Sequence, residues 1–178
     1  LTGYDTWYIE QIDSIIKLEE GIKKTLNAVM NQTIAPSEYE VIVCDNGSTD
    51  NTQQVIQKQI KYHPTITLVE ETIKSSYAAR NKAILKSKAP ILVFIDADMT
   101  CNTNWLAKIK GVFEKFEPDY VGSKVIVAPQ SKSLSSIFNT LTSFHTQIEM
   151  NKNHFAPTCC LSVKKSLFDI FPLDHHPA

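Results

Sequence analysis

The sequence predicts an α/β protein with a largely parallel sheet flanked by helices, of the doubly wound, Rossmann-like kind. Three observations lead there. Short, almost wholly apolar runs such as "EVIVCD" and "PILVFID" suit strands covered on both faces. Between them lie segments whose apolar residues return every three or four positions, as on one face of a helix. The two kinds alternate, which is the pattern of βαβ units. At 178 residues and 43% hydrophobic content, the chain has material for one compact domain, so 1–178 is read as a single unit.

Each element follows in order. "LTGYDTWYIEQI" is aromatic and irregular and carries no assignment, while "DSII" reads as the stub of a strand. Leu18, Ile22, Leu26 and Val29 mark one helix face. "QTIAPSEYE" is a loop with a proline, and "EVIVCD" a buried strand. "TDNTQQVIQKQIKYH" is a helix opening at a polar cap, with Val55, Ile56 and Ile60 inward. "TITLVE" is a strand; "SSYAARNKAILKSKA" is a helix burying Ala79, Ala83 and Ile84. "PILVFID" is the most apolar strand and the expected centre of the sheet. "NTNWLAKIKGVFEKF" is a helix and "DYVGSKVIVA" a fourth strand. "SLSSIFNTLTSFHTQIEM" is a helix, and "CCLSVKKSLFDIF" a strand or turn leading into a short helix.

Composition removes several function classes. The formal charge of −1, from 18 basic and 19 acidic residues, leaves no basic stripe for nucleic acid. Cys44, Cys101, Cys159 and Cys160 form no CxxC pair and no zinc spacing, and read as reduced thiols of a cytoplasmic protein. No run is apolar and long enough to cross a bilayer, and no signal peptide stands out. The chain begins without Met and stops at "PLDHHPA", so a domain incomplete at its C-terminus is expected. The glycines, at 3, 21, 47, 111 and 122, are too scattered for GxGxxG or a P-loop, and no GxSxG occurs.

In open α/β sheets, ligands sit outside the carboxyl ends of the strands. "DNGS" from Asp45 follows one predicted strand, and Asp96-Ala97-Asp98 follows another. The third polar group, Tyr77 to Asn81, lies near the start of the intervening helix. Two carboxylates one residue apart repel each other, and burial worsens the repulsion. A hard divalent cation, Mn²⁺ or Mg²⁺, would resolve it; two solvated turn residues would also explain the pair. Arg80 is either a surface arginine or a guanidinium set for phosphate, and Asp45 either a helix cap or a ligand contact. The three groups together, in this order, favour the ligand reading.

The blocks "LEEGIKKTLNAVMNQT", "EVIVCDNGSTDNT", "SSYAARNKAI" and "PILVFIDADMTCNTNWL" resemble the family 2 glycosyltransferases of GT-A fold, in their order and spacing. "HFAPTCCLSVKKSLFDIF" is similar to the family's acceptor-side strand and helix, so the resemblance covers residues 18–171. It implies an inverting, metal-dependent transfer from a nucleotide-diphosphate sugar, with UDP the expected nucleotide, to a glycan or lipid-linked hydroxyl. It implies that Asp45, with Asn46 beside it, contacts the base, and that Arg80 serves the base or the phosphates. Asp96 would lie by the ribose and Asp98 would ligate the metal. The family's P-x-Y-N-like loop after the first strand has no counterpart, since "IDSII" passes straight to "KLEEG". The family's catalytic carboxylate lies later than this chain reaches, which leaves Asp174 as a weak candidate. The alternatives are a sugar-phosphate nucleotidyltransferase, which would want a basic glycine-rich N-terminal loop, and a non-catalytic nucleotide-sugar-binding domain. Leu134, Ile137, Phe138, Leu141, Phe144 and Ile148 suit a core helix; peripheral contact with the inner face of a membrane is the alternative, and the helix lacks a basic flank for it. His145, His175 and His176 read as structural or solvated.

Overall fold

Six strands make one sheet in the order β3-β2-β1-β4-β6-β5. They appear in a computed structural model that describes residues 5–10, 18–127 and 156–170, together with Ser133, Leu134 and Phe138. The strands are β1 (Asp5–Glu10), β2 (Tyr39–Asp45), β3 (Ile66–Glu70), β4 (Ile91–Asp96), β5 (Tyr120–Gly122) and β6 (Leu161–Lys164). The helices are α1 (Leu18–Met30), α2 (Thr52–Tyr62), α3 (Ser76–Lys86), α4 (Trp105–Phe116) and the short α5 (Leu167–Ile170). β1, β2, β3 and β4 pair in parallel, while β6 runs antiparallel to both β4 and β5. The sheet is thus the predicted largely parallel one, with an antiparallel margin.

The strand alternation sorts the core into two faces. Val41 and Val43 of β2, with Val93 and Ile95 of β4, join Ile22, Leu26 and Val29 of α1, Ile56 of α2, and Leu106, Ile109 and Phe113 of α4. Ile42, Cys44, Leu92 and Phe94 point the other way, onto Ala79, Ala83 and Ile84 of α3 and Val163 of β6. Both faces of β2 and β4 are therefore covered, which is why those strands read as unbroken apolar runs.

Two expectations are corrected. The first strand is Asp5–Glu10, paired on both sides, inside the segment left unassigned. Its consecutive aromatic and β-branched residues favour a strand but show no alternation to read. Residues 11–17 separate β1 from α1, and the strand stub expected at "DSII" lies outside the described residues. The fourth predicted strand is shorter than expected, ending at Gly122. Just past it, Ser123 N–H still donates to Cys160 O at 2.8 Å, in step with the β5–β6 register, and its hydroxyl accepts from Trp105 Nε1 at 2.9 Å. It also sits at the sheet edge, with β6 between it and β4.

The helix expected over 133–150 lies largely outside the described residues, as do Asp174 and all the histidines except His63. Leu134 and Phe138, which are described, are exposed rather than in the core.

Candidate active site

The strand order reverses at β1, which has β2 on one side and β4 on the other. The crevice at such a switch point is where open α/β sheets receive ligands. Asp45 ends β2, and Asp96 ends β4. The register sets Glu10 level with Asp96. With β1 between them, the two aspartates stand two strand spacings apart, about 10 Å.

The turn after β4 is held from below. Met99 N–H donates to Asp96 O at 3.1 Å and closes the turn. Ala97 is buried within it, while Asp98 is exposed and Asp96 half-buried. The fully buried Thr25 of α1 places its hydroxyl 2.8 Å from Ala97 O and 2.6 Å from Met99 O. One hydroxyl proton serves both carbonyls and ties the turn to the helix. Gly21, one helical turn earlier, lets the backbones approach: a Cβ there would stand 3.2 Å from Ala97 O and 3.5 Å from Asp98 Cα. Alanine in a helix is worth up to about 1 kcal/mol over glycine. Gly21→Ala is therefore expected to leave the melting temperature nearly unchanged while pushing the turn outward. Hydrogen exchange at the Met99 amide, which closes the turn, should speed severalfold; wild-type exchange would mean that the turn has room to spare.

At the end of β2, Asp45 is buried. Its Oδ1 accepts from the amide and hydroxyl of Ser48, and its Oδ2 from Gln53 Nε2 on the first turn of α2. The first amide of α2 is met by another residue: Thr52 N–H donates to Asp50 Oδ1 at 3.0 Å. Asp45 is thus not a simple helix cap. Gly47 has φ +89°, a left-handed conformation that glycine adopts without strain, and this allows the carboxylate to meet Ser48.

Asn46 faces the loop between β3 and α3. Its Nδ2 donates to Glu71 O at 2.9 Å and to Ile73 O at 2.6 Å, and its Oδ1 accepts from Ser75 N–H at 2.9 Å. Glu71 N–H donates to Asp45 O at 2.8 Å, adjoining the same joint. The Glu71 carboxyl is held below the usual range, first by the Ile73 N–H and then by Lys82. Past this loop, α3 carries Arg80, whose guanidinium carbon lies 5.5 Å from the centre of the exposed Tyr77 ring. α3 packs across β2 and β1, which brings Arg80 to the same half of the sheet as Asp45.

Several positioning residues escaped the sequence reading. Gln32 donates to Ala28 O and Asn102 O, both at 2.9 Å, and accepts from Leu106 N–H at 3.0 Å, locking the end of α1 to the start of α4. Thr25 and Gly21 look like ordinary helix residues; their only signal is a small or hydroxyl side chain on an otherwise apolar face. Cys159 and Cys160 are buried near Asp96, and the hydrogen bond between the two thiols, then burial, keeps Cys159 protonated. Cys44, pushed up to about 12 by burial, is likewise a neutral thiol, and all four cysteines are free.

Among the described residues, no three His, Cys, Asp or Glu side chains form a ready-made cation cage. The available donors are the carboxylates of Asp98 and Asp96, hard oxygen ligands. That set fits a Mg²⁺ or Mn²⁺ ion completing its shell with ligand phosphates and water.

The model of "Glycosyl transferase family 2" matches residues 15–171. The chain belongs to that family. Among relatives, glycosyltransferase AglE of Haloferax volcanii is 31% identical over 172 residues, 95% of this chain and 57% of its own length. The poly(ribitol-phosphate) beta-glucosyltransferase of Bacillus spizizenii is 27% identical over 181 residues, 83% of this chain and 28% of its own. The chain thus spans less than two thirds of these curated relatives. The fold is that of GT-A structures. The mannosyltransferase PcManGT from Pyrobaculum calidifontis, in complex with GDP-Man and Mn²⁺, superposes with TM-score 0.70 at 22% identity, covering 96% of this chain and 48% of that one. S. aureus TarS 1-349 with UDP-GlcNAc gives 0.67 at 19% identity, covering 94% and 47%. As a family 2 glycosyltransferase domain, the chain carries its "DNGS" and "DAD" blocks at the carboxyl ends of β2 and β4, flanking β1. Among the described residues, no helix is long and apolar enough to cross a membrane.

Proposed function

We propose that residues 1–178 act as one donor-binding unit of an inverting glycosyltransferase that takes a nucleotide-diphosphate sugar, with UDP the nucleotide. The observation that carries this reading is the placement of Asp45 and of Asp96-Ala97-Asp98 on either side of β1, at the switch point of the sheet. Asp45 accepts a hydrogen bond from the base, Arg80 pairs with the phosphates, and Asp96 lies by the ribose. Asp98 holds the divalent cation, with Mn²⁺ or Mg²⁺ suiting its carboxylate. When bound, that ion neutralises charge on the departing diphosphate. Arg80 adds a fixed positive charge at the same end of the sheet, where charge develops in the transition state.

Inversion also needs a base within hydrogen-bond reach of the acceptor hydroxyl. Asp45, Asp96 and Asp98 are committed to the donor, and Asp174 remains the candidate in this chain. The acceptor is a glycan or lipid-linked hydroxyl, and work at a membrane face is part of the proposal. GDP-Man in one structural neighbour and UDP-GlcNAc in another make the donor a question for direct binding. Thermal-shift titration of UDP-, GDP- and dTDP-sugars, each with and without Mn²⁺, tests it. The expected result is a metal-dependent rise in melting temperature greatest with a UDP-sugar. Equal shifts with all three, or none with any, would overturn the assignment.

A further inference from the structure

We infer that Asn46 is a positioning residue, the clamp that sets the loop of residues 71–75 and the first turn of α3, rather than a contact to the base. Its amide is fully directed inward. The two Nδ2 protons face the carbonyls of Glu71 and Ile73, at 2.9 and 2.6 Å, and Oδ1 receives Ser75 N–H at 2.9 Å. This set forces the orientation of the amide, because carbonyls meet its nitrogen and an N–H meets its oxygen. No donor is left for a nucleobase carbonyl.

The helix needs this help. Ser75, the residue before α3, makes no capping bond with its own side chain. In a capping box, a Glu or Gln at the third helical position reaches back to the N–H of the capping residue. In α3 that position is Ala78, which cannot. Asn46 supplies the missing acceptor from the end of β2. It thereby ties the start of α3, and with it Tyr77 and Arg80, to the strand that ends in Asp45. Thr72, Ile73 and Lys74 are exposed, so little packing would hold the loop otherwise.

What the clamped loop serves rests on the donor reading above; the clamp itself does not. Hydrogen exchange of the 71–75 amides and nucleotide titrations on the wild-type chain, Asn46→Ala and Asn46→Asp test both. Asn46→Asp keeps an acceptor for Ser75 but sets a carboxylate oxygen against the carbonyls of Glu71 and Ile73. Both variants are expected to speed exchange in the loop by about one to two decades, as loss of several local hydrogen bonds would. Affinities for UDP, CDP and GDP with Mn²⁺ should fall by a common factor, with their ranking unchanged. Unchanged exchange with an altered ranking of bases would make Asn46 a base contact and overturn the inference. Faster exchange with wild-type affinities would equally overturn the positioning role. If the wild-type chain binds none of the nucleotides, the donor reading falls, and the exchange rates alone then uphold or overturn the clamp. Should Asn46→Ala fail to fold, Asn46→Asp carries the same comparison.

Discussion

Asp98→Asn is expected to abolish the metal-dependent part of nucleotide binding and to lower turnover by about two to three decades, the scale seen when a group stabilising transition-state charge is removed. Asp98 is exposed at the turn after β4, so its replacement by an amide of the same shape disturbs no packing. Exposed substitutions of this kind change stability by about 0.5 kcal/mol at most. The turn itself is set by main-chain atoms, through Met99 N–H on Asp96 O and through Thr25 beneath Ala97 and Met99. The variant should therefore fold and melt like the wild type. Calorimetric titration of UDP in the presence and absence of Mn²⁺ gives the readout. If Mn²⁺ strengthens UDP binding equally in both proteins, the ion is held elsewhere.

Asp45→Ala is expected to act on binding and on stability together. Loss of a charge-assisted hydrogen bond to the base should weaken UDP by about 1.5–3 kcal/mol, one to two decades in affinity. The same carboxylate also accepts from Ser48 and Gln53 at a buried position. Leaving those donors unmet costs about 1–3 kcal/mol, and at this size each kcal/mol lowers the melting temperature by about 2–4 °C. Calorimetry and a thermal melt on the same preparation separate the two effects. A lowered melting temperature with undiminished UDP affinity would leave Asp45 as an organiser of the β2–α2 turn and nothing more.

Much of this molecule was legible in one dimension. β2 and β4 are apolar along their lengths because both of their faces are covered, and a strand of that kind announces itself without partners. α1, α2 and α3 show their inner faces through Ile22, Leu26 and Val29, through Ile56, and through Ala79, Ala83 and Ile84. The polar blocks at Asp45 and at Asp96-Ala97-Asp98, the candidate site, stood out because each interrupts such a run at its carboxyl end. β1 was hidden for the opposite reason. Its residues carry strand preference but no alternation, and its place between β2 and β4 follows from pairing with segments more than 25 residues away. The reversal of β6 is likewise set by neighbours, since its direction follows from its pairing with β4 and β5.

Sequence by itself determined the fold class, the family and the positions of the polar blocks, because alternation, apolar runs and motif spacing are local along the chain. Tertiary structure alone decided which protein groups each polar side chain meets. Asn46 and Asp45 are neighbours in one motif, yet both protons and the oxygen of the first amide go to Glu71, Ile73 and Ser75, while the second meets Ser48 and Gln53 with a carboxylate that can accept more than these. Thr25 and Gly21 became part of the site only when α1 packed beneath the turn after β4, 72 residues on from Thr25 in the case of Ala97. Hydrogen bonds of that kind depend on distances between segments far apart in the chain. Those distances come into being only when the two apolar faces of the sheet are buried together.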